Sequence, residues 1–144
     1  MRAAFTKSAL LALLLLAAAP ASAEIRILAS PGGEVGPFLD LFARVRASGE
    51  RVVIDGPCLS ACTLVLSAVP ADRICVTRRA VLGFHAARSM DARGRLYAEP
   101  EASAAVLEAY PSPVRNWIRR RGGLTSRVLL LRGRELAAIY PVCG

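Results

Sequence analysis

The chain is poor in two residue types: it has one lysine, Lys7, and one histidine, His85, in 144 residues. Beyond Lys7 every basic side chain is therefore an arginine. Arginine bias beside abundant Ala, Gly and Pro is what a GC-rich codon supply produces, so the net charge of +8 is not by itself a nucleic-acid signal. The histidine shortage starves a zinc site of ligands. Cys58-x₃-Cys62 has near metal-ligand spacing, but Cys75 and Cys143 stand alone with no histidine beside them, so no metal and no cofactor is expected. Beyond residue 23 no run approaches the ~20 apolar residues that a membrane helix needs. Repeats at a solenoid period and low-complexity segments are missing too, which leaves one α/β domain over residues 24–144.

What is present begins with an export signal over residues 1–23. Arg2 and Lys7 make a basic start, Ala9 to Ala19 is almost pure Leu and Ala, and Pro20 breaks the run. Ala21-Ser22-Ala23 then offers small residues for cleavage. The apolar run is too short to span a bilayer, so a secreted or periplasmic protein without stable membrane insertion is expected. Two of the positive charges leave with the leader. Export also gives meaning to the four cysteines, because an oxidising compartment can pair them. Three connectivities are open.

Along the mature chain, Ile25–Ala29 is β-prone and is stopped by Ser30-Pro31-Gly32-Gly33. From Val35 the apolar residues Phe38, Leu39, Leu41, Phe42 and Val45 predict an amphipathic helix closing near Ser48-Gly49. Arg51–Ile54 is a second strand, parallel to the first across so short a crossover. Ser60–Val69 reads as a buried helix ended by Pro70. Arg73–Val76 and Ala80–Phe84 read as strands, and Arg88–Glu99 as a polar loop. Glu101–Ala109 and Val114–Arg121 are helical in composition. Val128–Leu131 fits a strand or a buried helical turn, and Arg134–Tyr140 a last short helix.

Three features in order carry chemistry: the Gly32-Gly33 turn, a serine at a strand-to-helix turn (Gly56-Pro57-Cys58-Leu59-Ser60-Ala61), and His85 at the end of an apolar strand. A serine hydroxyl becomes a nucleophile when a neighbouring base takes its proton. Unpaired N–H groups at a helix start stabilise a developing oxyanion, and glycines let a second backbone segment approach it. Each feature also has a plain structural use. Ser60 would serve as an N-cap, Gly32-Gly33 as a turn, and His85 as a histidine at a strand end.

Together, Ser30-Pro31-Gly32-Gly33, Gly56-x-x-x-Ser60-Ala61 and Arg73-Ile74-Cys75 leading to His85 resemble the Clp protease proteolytic subunit and its relatives in the Clp/crotonase superfamily. The intervals from Gly33 to Ser60 and from Ser60 to His85 agree with that family. The resemblance covers Ile25 to His85, with a weaker echo in Arg134 to Val142, and is closest in style to small exported Clp-like proteins. It implies repeated strand-helix units with a mainly parallel sheet. It makes Ser60 the nucleophile, His85 the general base, and the N–H groups of Gly33 and Ala61 the oxyanion hole. A peptide or protein substrate would lie extended beside them.

The chain departs from the family in two places. The region where the family carries its third member, an aspartate, reads Gly122-Gly123-Leu124-Thr125-Ser126-Arg127 and holds no acid. Thr125 or Ser126 is then the candidate for orienting His85. The first strand-helix unit is also missing, which exposes a sheet edge that a second copy of the chain would cover in a homo-oligomer. On this framework Cys62–Cys75 or Cys58–Cys143 links would clamp the serine turn. The leading reading is an exported serine peptidase, and the alternative is a catalytically inactive Clp-like binding or assembly protein. A third reading, a polyanion or membrane-surface binder, rests on Arg119-Arg120-Arg121 beside Trp117 and on Arg78-Arg79. A three-residue cationic run is more simply a helix C-terminus, so no nucleic-acid partner is expected.

Overall fold

The computed structural model describes residues 23–144; apart from Ala23, the expected export signal lies outside the described residues. Strand β1 (Glu24–Ile27) alternates exposed and half-buried positions, as an outermost strand does. Helix α1 (Val35–Ser48) buries Phe42 and Val45 and ends at Gly49, whose φ of 77° supplies the left-handed C-terminal residue. Strand β2 (Arg51–Ile54) is an unbroken buried run after Arg51, which suits the centre of a parallel sheet. It lies between β1 and β4 (Ile74–Val76), all three parallel.

The chain then leaves this sheet for a second one. Past β1, Ser30 donates its N–H to the Pro57 carbonyl (2.7 Å) and accepts from Leu59 N–H (3.0 Å). The segment Pro57–Leu59 thereby becomes a strand, β3, which the sequence had suggested only as a turn. β3 pairs parallel with β5 (Val81–Phe84), and β5 pairs antiparallel with β8 (Leu129–Arg132). Gly56 stands where the two sheets meet: a Cβ there would fall 1.9 Å from the Leu28 carbonyl oxygen.

Ser60–Val69 is not one helix. It is a 3-10 helix (Ser60–Leu64) followed by a single α-turn, α2 (Val65–Ala68). The expected loop after His85 is a hairpin, β6 (Arg88–Met90) and β7 (Leu96–Ala98), turned by Asp91, whose Oδ1 accepts the N–H groups of Arg93 and Arg95. Helices α3 (Pro100–Ala109), α4 (Ser112–Arg119) and α5 (Gly133–Ala137) complete the mixed α/β fold. Helix α4 buries Val114, Trp117 and Ile118, the i, i+3, i+4 face of an amphipathic helix. Phe84 of β5 joins Tyr110 edge-on (5.3 Å between centroids) and Trp117 (6.1 Å), which ties the second sheet to α3 and α4. Among the described residues no helix is long and apolar enough to cross a membrane.

Candidate active site

Ser60 is the one described non-glycine residue with positive φ, at 55°. A left-handed backbone at a residue bearing a Cβ costs on the order of 1–3 kcal/mol and persists only where surrounding contacts impose it. Ser60 is not the N-cap: Leu59 holds that position, and no side chain caps the turn. The strain therefore serves no capping role. Among the described residues the side-chain hydrogen bond at Ser60 falls on its carbonyl oxygen, and none engages its hydroxyl.

Two constraints hold this turn. One is a disulfide between Cys58 and Cys62 that brackets Ser60, with Cα atoms 5.3 Å apart. The other is the glycine loop, where a Cβ on Gly32 would lie 2.6 Å from both the Leu59 carbonyl oxygen and Ser60 Cβ, and 3.0 Å from the Ala61 nitrogen. Only glycine allows the loop to lie against the Ala61 amide. The Gly32 N–H is taken by Ser30 Oγ at 3.3 Å, whereas the Gly33 N–H has no acceptor among the described residues.

The cysteine pairing differs from both links expected from the sequence. Cys75 bonds Cys143, not Cys62, and Cys58 bonds Cys62, not Cys143. The reason is which sheet each cysteine occupies. Cys58 lies on β3 of the second sheet, and the reversal at Ser60 returns Cys62 to it. Cys75 lies on β4 of the first sheet, where the C-terminal segment runs alongside through Val76 N–H to the Pro141 carbonyl (2.9 Å) and Cys143 N–H to the Val76 carbonyl (3.0 Å). The serine turn is clamped, but by a local link. With both sulfurs of Cys58-x₃-Cys62 oxidised, that motif has no thiolate for zinc. Two disulfides fit an exported protein.

His85 follows β5 directly. Its Nδ1 lies 2.7 Å from the Ala86 carbonyl oxygen; a carbonyl can only accept, which assigns the proton to Nδ1 and leaves Nε2 as the basic nitrogen. Thr125 and Ser126 do not orient the ring through their side chains. Thr125 Oγ1 instead accepts the Arg127 N–H (3.2 Å), while its backbone carbonyl accepts the Ala86 N–H (2.7 Å). The Thr125 carbonyl thus holds the N–H side of Ala86, the residue whose carbonyl bonds the imidazole. Among the described residues no carboxylate hydrogen-bonds His85: Asp91 is spent on its hairpin, and Glu108 pairs with Arg115 and Arg119.

Ser60, Ala61 and His85 line one small cleft of about 40 Å³, walled by Val35, Leu64 and Val106. Ser60 and His85 are not hydrogen-bonded to each other, and Gly33 does not line the cleft, although Val35 two residues on does. The arrangement offers an uncapped hydroxyl, an imidazole with its basic nitrogen free, and the first amide of a 3-10 helix.

Asp55, the residue before the Gly56 turn, is a buried carboxylate. It accepts from Arg79 Nε (3.1 Å) and Nη2 (2.5 Å), Thr77 Oγ1 (2.7 Å) and Arg26 Nη1 (3.0 Å). The Arg79 bonds first, then Thr77, hold its carboxyl well below the usual carboxylate range. A depressed pKa stabilises the fold fully above the unfolded carboxylate value of about 3.9, and that contribution disappears as pH falls through the lower folded value. Thermal melts should therefore hold their midpoint down to pH 5 and drop below pH ~4. Asp55→Asn should flatten the part of that drop that belongs to Asp55; an unchanged profile would remove Asp55 from the account.

Three arginines of the two cationic runs are in ion pairs. Arg79 is committed to Asp55, Arg119 to Glu108, and Arg121 to Glu135 while it stacks 4.0 Å over Trp117. Sequence reasoning also passed over Thr63 and Tyr110, buried beneath Ser60; the one available signal was a threonine three residues after the serine. Compared with protein-family models, with curated proteins and with solved structures, the chain gives no significant match.

Proposed function

We propose that this chain is an exported Clp-like serine hydrolase acting on peptide or protein substrates through Ser60 and His85. The observation that carries the reading is the left-handed Ser60: a strained, uncapped serine opening into the cleft that holds the only histidine. Strain that no capping bond uses is what a nucleophile turn requires. Further support comes from the parallel β1-β2-β4 order and from the glycine loop laid against the Ala61 amide.

In the proposed reaction Ser60 Oγ attacks the scissile carbonyl carbon as its proton passes to His85 Nε2. The Ala61 N–H, the amide that lines the cleft, receives the oxyanion. The C–N bond breaks, the leaving amine takes the proton from His85, and water then hydrolyses the acyl-enzyme with His85 again as base. The Ala86 carbonyl occupies the place of the triad acid. It fixes the tautomer as an acid does but brings no full negative charge to the imidazolium, so turnover should be slower than with a complete triad.

The alternative is a Clp-like binding or assembly protein without catalysis, favoured by the lack of a Ser60–His85 hydrogen bond. Labelling separates the two readings. A fluorophosphonate should label the oxidised protein, and Ser60→Ala and His85→Ala should each abolish labelling. Ser60→Gly should also abolish it while raising the melting temperature, because glycine adopts positive φ without strain. Folded wild-type protein that takes no label would establish the alternative.

A further inference from the structure

Two buried hydroxyls stand directly under the serine turn. Thr63 is fully buried, and its Oγ1 donates to the Ser60 carbonyl oxygen at 2.6 Å. Tyr110, 4% exposed, places its hydroxyl 2.6 Å from the same Thr63 oxygen. A threonine hydroxyl has one hydrogen. With that hydrogen spent on a carbonyl that can only accept, the contact from Tyr110 must run the other way: Tyr110 donates to Thr63, and Thr63 donates to Ser60.

We propose that Thr63 and Tyr110 are positioning residues that hold the Ser60 peptide in its left-handed conformation and so aim the hydroxyl at the reacting carbonyl. The inference rests on the serine hydrolase reading and assigns it a supporting relay.

Geometry makes the relay more than a local back-bond. A threonine bonding the carbonyl three residues earlier is an ordinary event in a helical turn. Here the bonded carbonyl belongs to the residue in the unfavourable backbone region, and the donor is itself anchored from 47 residues away. Tyr110 is the residue that ends α3, followed by Pro111, and its ring packs edge-on against Phe84, the residue before His85. One side chain therefore references both halves of the dyad: its hydroxyl reaches the Ser60 turn, and its ring reaches the end of the His85 strand. Burial pushes the Tyr110 hydroxyl up to about 12, so it keeps its proton and its donor role across the working pH range.

The test is fluorophosphonate labelling kinetics of the oxidised full-length mature protein, separating the inhibitor-binding constant from the first-order inactivation rate. Thr63→Val, which keeps the shape and removes the donor, should lower the inactivation rate about 100-fold with binding unchanged, the size of loss a misaimed reacting group produces. Tyr110→Phe keeps the ring contact and should cost about 10-fold, since Thr63 loses its donor but keeps its own bond. Thr63→Ser should restore the rate, which a purely space-filling role would not predict. Wild-type rates in Thr63→Val would overturn the relay alone. So would variants in which binding and inactivation fall together with thermal stability and serine gives no rescue. An unlabelled wild-type protein would overturn the hydrolase reading and the relay with it.

Discussion

Replacing Gly56 by alanine is expected to destabilise the protein by more than about 3 kcal/mol, beyond the usual range for an added core methyl. The reason is the identity of the atom it meets. The new Cβ would fall 1.9 Å from the Leu28 carbonyl oxygen, and backbone cannot rotate away as a side chain can. On either side of this point Asp55 N–H bonds the Ile27 carbonyl (2.9 Å), and the Gly56 carbonyl accepts from Val81 N–H (3.2 Å). Yielding here would open the joint between the two sheets. For a domain this size the melting temperature should fall by on the order of 10 °C. Gly36→Ala is the control: it lies in the first turn of α1 with nothing within 4 Å of a new Cβ, and should be neutral or slightly stabilising. A Gly56→Ala melt matching that control would contradict the two-sheet junction.

Loss of the Cys75–Cys143 disulfide is expected to cost about 4 kcal/mol on the loop-entropy estimate, against about 2 kcal/mol for Cys58–Cys62. The difference follows from the length of chain each link closes, a separation of 68 residues against 4. Function should rank the two links the other way. Cys75–Cys143 ties the C-terminal segment to β4, away from Ser60, whereas Cys58–Cys62 brackets the serine itself. Paired alanine variants compared by urea unfolding and by labelling rate test both orders at once. A Cys58/Cys62 double variant that labels at the wild-type rate would show that the glycine loop and the buried hydroxyls suffice to hold the turn.

The parts of the fold that could be read from the sequence are those whose signal is local. Helix α1 announces itself through Phe38, Phe42 and Val45 and stops at Gly49, and β2 through Val52-Val53-Ile54. Strand β3 could not be read, because Pro57-Cys58-Leu59 is a strand by virtue of its partners β5 and Ser30, both remote in the chain. The hairpin after His85 was hidden by its length: Arg88-Ser89-Met90 and Leu96-Tyr97-Ala98, three residues each around an aspartate turn, are too short to carry an alternating apolar pattern. The cysteine pairing was equally out of reach, since it depends on which sheet receives each strand. In the site, Ser60 and His85 were legible as types at characteristic positions, and the cleft brings them together. What orients His85 was not. The task falls to the Ala86 carbonyl, backbone that every residue possesses, while Thr125 contributes its own carbonyl and Ser126 no hydrogen bond to the ring. The burial of Asp55 was not legible either, because its three partners, Arg26, Thr77 and Arg79, are all remote in sequence.

The central claim is that the strained serine is a working nucleophile, and peptide mapping after fluorophosphonate treatment of the oxidised protein tests it most directly. The account predicts a single phosphonyl adduct on the peptide containing Ser60, absent from Ser60→Ala and from protein unfolded before exposure. Folded protein without an adduct, or an adduct on another residue that survives Ser60→Ala, would contradict it.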